Sequence, residues 1–285
     1  MQAGFENCDC LMLTGNMSEE TQDKIRACGV DVRPIPDELS GQRIINIRWK
    51  IYYDFLKDNT DKYDMVLTAD VRDVIFQRDL FKLCDSSKPL LGIALEDFTI
   101  GEDSQNNAKW IINAYGNDIY QELKDNTIIC VGTVWGTTEE FMNYSSVMSD
   151  ILNSEWSLRL HVIEQGIGNY IIYHDKMFAD VISTSTNYDG YVMTIGLTAA
   201  KEINVDSNGN FLNGKGEIAA VVHQYDRKPE AINIVSKKYC ADMSLFAKLS
   251  LRHNCDGLGK VMRFLSRVHR RCLFRSVYEA IKRRI

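Results

Sequence analysis

Tyr63-Asp64-Met65-Val66-Leu67-Thr68-Ala69-Asp70-Val71-Arg72-Asp73-Val74-Ile75-Phe76-Gln77 is the stretch on which the rest of the 285-residue chain turns. Met65–Ala69 is a short apolar run of strand length, and it leads without a break into two carboxylates and a guanidinium within four positions. In open α/β sheets, ligands bind outside the carboxyl ends of the strands, so these groups are expected to point into a cleft. Carboxylates are hard oxygen ligands for Mg²⁺ or Mn²⁺, and such an ion can bridge a pyrophosphate. Arg72 could contact phosphate, or could pair with Asp70 or Asp73. A solvated turn with local ion pairs has the same residues, so this run needs support from elsewhere in the chain.

Outward from it, strands alternate with helices. Cys8–Thr14 reads as a strand, followed by a helix capped by Asn16 or Ser18 and stopped at Gly29. Val30–Ile35 reads as a second strand, and Gln42–Asn59 carries apolar residues at helical spacing. Further on, strands are expected over Leu90–Leu95, Thr127–Val131, Asp180–Ser185, Tyr191–Ile195 and Ile218–Val222, and helices over Ala108–Leu123 and Val162–Tyr173. Thr137-Thr138-Glu139-Glu140 matches a capping box, which places another helix from there towards Leu152. Asp206-Ser207-Asn208-Gly209-Asn210 reads as a hairpin tip. The alternation argues for an α/β fold with a mostly parallel sheet flanked by helices.

Two other places could carry chemistry. The strand Ile218–Val222 delivers His223, followed by Gln224-Tyr225-Asp226-Arg227-Lys228-Pro229. Imidazole suits Mn²⁺ better than Mg²⁺, and the Arg227/Lys228 pair could stabilise a departing diphosphate. A histidine at a strand end is more often structural, and the two cations beside it raise the functional reading. Cys130-Val131-Gly132-Thr133-Val134-Trp135-Gly136 and Glu164-Gln165-Gly166-Ile167-Gly168-Asn169 are read as glycine-bearing loops that let a ligand approach the backbone. Glu164 and Gln165 could then touch a sugar, or could belong to a helix surface.

In this order, D-V-R-D-V-I-F-Q, V-G-T-V-W-G, E-Q-G-I-G-N and H-Q-Y-D-R-K-P resemble a nucleotide-diphosphosugar glycosyltransferase of the GT-A (Rossmann-like) fold. The similarity is to bacterial surface-polysaccharide transferases and, more distantly, to the glycogenin and lipopolysaccharide galactosyltransferase group, over roughly residues 5 to 235. It implies Asp70, Asp73 and His223 as ligands of Mn²⁺ (or Mg²⁺), with Asp70 or Asp73 and Arg72 on the donor side. It also implies Lys228 on the diphosphate, Gln165 near the anomeric carbon with Glu164 beside it, and Gly132 and Thr133 lining the sugar pocket. The strand-end histidine followed by K-P leans towards retention of configuration. The acidic run departs from the family's D-x-D, Glu164 stands where Asp is usual, and K-P-E replaces K-P-W. The resemblance places the family's first strand ahead of Met1. A Mg²⁺-dependent phosphohydrolase using Asp70 as nucleophile is a competing class, but Val74 stands where its threonine is expected. A third reading is a non-catalytic relic of a transferase that acts as a binding protein.

Residues 1–240 are expected to form the catalytic domain, and 241–285 a basic amphipathic helical appendage. From Leu245 onward eleven Lys/Arg face two acids, a charge of +9, so the net −6 of the whole leaves −15 for the rest. Leu258, Val261, Met262, Leu265, Val268 and Cys272 follow helical spacing among those arginines, a pattern suited to an anionic membrane surface or to packing on the acidic body. The acidic body argues against nucleic acid as a partner. The eight cysteines form no paired metal-binding pattern, and several sit in apolar runs. Together with an N-terminus that lacks basic and apolar signal regions, they point to reduced thiols and the cytoplasm, peripheral to the inner face of the membrane if the tail binds lipid.

Overall fold

The structure is a computed structural model that describes residues 3–15, 17–39, 41–160 and 162–239. The chain opens with strand β1 (Leu11–Thr14), helix α1 (Glu19–Arg26) and strand β2 (Asp31–Pro34), and β1 and β2 pair in parallel. Ser18 caps α1, accepting from the Thr21 amide at 3.4 Å, while Asn16 lies outside the described residues. Helix α2 (Ile44–Lys57) then leads to strand β3 (Met65–Ala69), where expectation and structure coincide.

After the Asp70–Asp73 turn comes a short strand, β4 (Val74–Phe76), followed by β5 (Leu91–Thr99). Helices α3 (Asn107–Tyr115) and α4 (Asn117–Leu123) replace the single helix expected there, because Gly116 adopts φ +88° and breaks it. Strand β6 (Thr127–Thr137) runs directly into helix α5 (Thr138–Leu152), and the short helix α6 (Glu155–Leu160) and α7 (Glu164–Tyr170) come next. The side chain of Thr137 does not cap α5 but accepts from the Leu90 amide instead, so the capping box is not formed. The remaining elements are β7 (Ile182–Ser185), β8 (Val192–Thr194), β9 (Asn204–Val205), β10 (Phe211–Leu212), β11 (Val221–His223) and α8 (Pro229–Tyr239). Strands β9 and β10 form the expected hairpin around Asp206–Asn210.

Two sheets carry the architecture. The larger has the order β3-β6-β5-β7, and the smaller β4-β11-β8. Both are mixed: β6 is antiparallel to β3 and β5, and β4 is antiparallel to β11, whereas β5/β7 and β11/β8 are parallel. The α/β class therefore holds, but the strands are less uniformly parallel than alternation with helices suggests. Strand β6 follows β5 through α3 and α4 and still lies antiparallel to it.

One face of the larger sheet, through Val66, Leu91, Ile93, Ile129, Val131 and Val134, packs on α2, α5 and α7. The other face, through Leu67, Ala94, Cys130 and Trp135, packs on Val74, Val192 and Val221 of the smaller sheet, whose far side is covered by α8. Along β6, Ile129 and Val131 share a face with Val134 although the parity differs. The reason is a register break, since Ile93 pairs with Val134 while Ala94 pairs with Cys130. The extra residues Val131-Gly132-Thr133 bulge out of the ladder with β5, while Thr133 stays paired with Ala69 of β3, and they re-aim the rest of the strand. Helix α7 tolerates its glycines because it lies hard on β6: a Cβ on Gly168 would come within 2.5 Å of Val131.

Candidate metal and donor site

The Asp70–Asp73 turn bridges the two sheets. Asp70 leaves β3, and its amide donates to the carbonyl of Gly132 in the β6 bulge at 3.0 Å. Asp73 enters β4, and β4 pairs with β11 so that Val74 stands opposite His223. Its carbonyl accepts from the Gln224 amide at 2.7 Å, which extends that pairing by one bond. Sequence positions 70, 73 and 223 thus meet because two sheets abut here.

One candidate ligand atom from each of Asp70, Asp73 and His223 lies within 4.8 Å of the others. His223 Nε2 is 3.4 Å from Asp70 Oδ2 and 3.7 Å from Asp73 Oδ1. The imidazole and Asp73 are buried, whereas the Asp70 side chain is 41 % exposed, so the cluster opens to solvent on its Asp70 side. Burial works against the charged imidazole, yet the Cys130 sulfur and the Asp70 and Asp73 carboxylates outweigh it and raise His223 to about 10. Burial likewise pushes Asp70 up, but His223 and Arg48 hold it down at about 2.

Three observations fit a divalent cation here. The donor set is two hard carboxylates and one imidazole. His223 Nε2 is buried without a hydrogen-bond partner and faces both carboxylates. The backbone beneath is bare: a Cβ on Gly132 would lie 2.3 Å from His223 Cε1 and 3.1 Å from Asp70 Oδ2. Glycine is needed at 132 for that close approach, not for a loop conformation. Cys130–Gly136 is not a loop at all but the middle of β6.

The other expected residues fall out differently. Glu164–Asn169 is the first part of α7 and not a loop. Glu164 is 5 % exposed, and both its oxygens are taken by the protein. Arg48 Nε and Nη2 donate to it at 2.9 and 2.5 Å, and Trp49 Nε1 at 2.6 Å. It therefore faces Arg48 and not a sugar. Gln165 is half-buried and donates to Asn107 Oδ1 at 3.0 Å and Glu96 Oε1 at 3.4 Å. Thr133 is fully buried. Arg72 pairs with Asp226 at 3.1 Å and reaches Asp73 at 3.8 Å, not Asp70. Lys228 is half-buried and closes the single 3-10 turn Tyr225–Arg227.

Two residues at this place carry weight that the sequence pattern alone does not assign to them. Arg48 is buried on α2 and donates to Asp70 Oδ1 at 2.7 Å and to the Val131 carbonyl at 3.1 Å, besides its bonds to Glu164. Despite burial, Glu164 and Asp70 hold the guanidinium firmly charged. A signal for it exists in the sequence: position 48 lies on the apolar side of α2, between the buried Ile47 and Trp49. Glu96, near the end of β5, is 4 % exposed. Burial raises its carboxyl, while Arg227 and His223 act in the opposite direction. Arg227 is thus a cation that acts on this wall of the site.

Among known proteins, no family model and no curated protein matches the chain. Three solved structures with a similar course are glycosyltransferases. One is a glycosyltransferase involved in the glycosylation of the major capsid of PBCV-1, at 12% identity and TM-score 0.40, covering 76% of this chain and 92% of that one. Another is the galactosyltransferase LgtC in complex with donor and acceptor sugar analogs, at 16% and 0.43, covering 85% and 84%. A third is mouse xyloside xylosyltransferase 1 in its apo form, at 10% and 0.42, covering 78% and 86%. Likeness of this degree is too slight to transfer an activity or a residue's role, so function rests on the site itself.

Proposed function

We propose that the chain is a glycosyltransferase that moves a sugar from a nucleotide-diphosphosugar to a hydroxyl of a glycan or lipid-linked acceptor, with Mn²⁺ (or Mg²⁺) held by Asp70, Asp73 and His223. The observation that carries this reading is the convergence of those three side chains over the bare backbone of Gly132, with His223 Nε2 orphaned among them. Such an ion, when bound, neutralises charge developing on the diphosphate as the sugar–phosphate bond breaks.

The chain's own groups take the remaining tasks. Arg48 fixes one oxygen of Asp70, which leaves the other free on the side of His223. Arg227 and Lys228 stand just after His223 in the chain and supply positive charge for the leaving nucleoside diphosphate. Gln165, Asn107 and Glu96 form a hydrogen-bonded polar wall suited to sugar hydroxyls. An amide such as Gln165 is too weak a nucleophile for a covalent intermediate, so retention proceeds by front-face attack of the acceptor hydroxyl. Lipid-linked acceptors also suit the basic segment after Leu245, which lies outside the described residues. Each Lys or Arg near an anionic surface contributes about 1 kcal/mol of attraction.

Titration calorimetry with UDP or GDP in the presence and absence of Mn²⁺ tests the central claim. Metal-dependent nucleotide binding that Asp73→Ala and His223→Ala abolish is the expected result. Nucleotide binding indifferent to metal, or to both substitutions, overturns it. For the tail, replacing Arg263, Arg267, Arg270 and Arg271 by Gln should weaken sedimentation with anionic vesicles, and unchanged binding refutes the membrane role.

A further inference from the structure

We propose that Cys130 is the positioning residue of His223: its sulfur accepts a hydrogen bond from Nδ1–H, turns Nε2 towards Asp70 and Asp73, and so sets how tightly the site holds a divalent cation. The inference rests on the metal reading of that site. Cys130 Sγ lies 3.4 Å from His223 Nδ1, and both residues are about 1 % exposed. A ligating histidine usually donates its second ring N–H to a carboxylate or carbonyl, which fixes the tautomer and the ring plane. Here the partner on that side is a sulfur.

The surroundings make the sulfur an acceptor. Gln224 Nε2 also points at it, at 3.9 Å. The backbone holds that amide in place, because Gln224 sits at φ +60° with its N–H on the Asp73 carbonyl. A second donor already faces the sulfur, so a proton kept on Nδ1 suits it, and Nε2 is the nitrogen that gives up its proton for a cation between the carboxylates. The opposite end of the ring agrees, since Nε2 is the buried atom with no hydrogen-bond partner. Cys130 and Gly132 act together on one imidazole: the first fixes its rotation and the second makes room for its edge. With an aliphatic side chain at 130, the Nδ1–H of a ligating imidazole has no acceptor, and nothing on that side fixes the rotation of the ring.

Cys130 also packs between the sheets with Ala94, Trp135 and Val221, so its substitutions have a packing cost that the test must separate. The full chain carrying C130A, C130V or C130S is titrated with Mn²⁺ alone by calorimetry, with thermal unfolding in parallel and ¹⁴N coupling to bound Mn²⁺ read by pulsed electron paramagnetic resonance. C130A and C130V should bind Mn²⁺ about 10–100-fold more weakly and lose the nitrogen coupling. C130S, which keeps an acceptor, should stay within about threefold of the parent and retain the coupling, even if its melting temperature falls as far. A purely structural role predicts affinity that follows melting temperature across all three, and that result overturns the proposal. So does parental affinity in whichever of C130A and C130V folds. If the parent chain binds no Mn²⁺, the metal reading falls along with this one. If the parent binds, His223→Ala does not, and C130A and C130V do, only the role of Cys130 is lost.

Discussion

Replacing Gly132 by alanine adds one methyl group at the tightest point of the site. The new Cβ would stand 2.3 Å from His223 Cε1, 3.0 Å from Nε2 and 3.1 Å from Asp70 Oδ2. Carbon atoms in contact prefer about 3.5–4.0 Å, so the ring must retreat by roughly 1 Å or more. Strand β6 cannot yield instead, because Gly132 is tied to Asp70 through its carbonyl, Thr133 pairs with β3, and Cys130 and Val134 pair with β5. Overpacking of this kind costs about 1–3 kcal/mol. Metal–ligand distances tolerate about 0.2 Å, so a displaced imidazole drops out of the ligand set. We expect Gly132→Ala to fold with a lowered melting temperature and to bind Mn²⁺ at least tenfold more weakly by calorimetry, of the order seen when a metal site is disturbed. In the double variant with His223→Ala the space vacated by the ring should restore most of the lost stability. A single variant with parental Mn²⁺ affinity and melting temperature would show that the packing of Gly132 on His223 has no bearing on the site.

Glu164→Gln removes the charge opposite buried Arg48; breaking a buried pair costs about 3–5 kcal/mol, to be read by denaturant unfolding, and a cost below 1 kcal/mol would mean that Arg48 is satisfied by Asp70 alone. Asn169 is fully buried and pairs with both the amide and the carbonyl of Ile129, so Asn169→Ala strands two backbone groups at about 1–3 kcal/mol each, measurable in the same way. In metal-free protein, Asp70 is held at about 2, below its ordinary 3.8. A lowered carboxyl contributes stability above pH 4 and loses it as the pH falls through 2. The stability gap between the parent and Asp70→Asn should therefore narrow across that window, and a gap independent of pH would contradict the shift.

How far the sequence could be read depended on whether the deciding contacts were local. Met65–Ala69 is legible because an apolar run bounded by charges depends on no partner. The hairpin tip at Asp206–Asn210 is legible because Asp206 makes its turn bonds to Asn208 and Asn210, within the tip itself. The Val131–Thr133 bulge is not, since a register break exists only relative to β5, and so a strand interior with two glycines reads as a loop. Strand β4 is three residues long and owes its existence to β11, some 150 positions away. Among the candidate ligands, Asp70, Asp73 and His223 announce themselves by standing at strand ends. Glu164 does not reveal its burial, because its partners Arg48 and Trp49 arrive from another helix. Arg48 has a legible signal, a cation set into the apolar stripe of an amphipathic helix.

The Asp70–Asp73 turn has its two ends in different sheets, and His223 belongs to the smaller one. A cation gripped by all three would act as a rivet through the seam between them, with each sheet supplying part of the grip. Its affinity then gauges the alignment of the two layers: a change at Leu80 or Val192, in the core between the sheets and remote from any ligand, would register as a weaker hold on the ion. Conversely, the ion would lend cohesion to the seam, about 2.7 kcal/mol at a hundredfold excess over its dissociation constant. In this fold the strength of the inter-sheet core and the readiness of the site become one adjustable quantity.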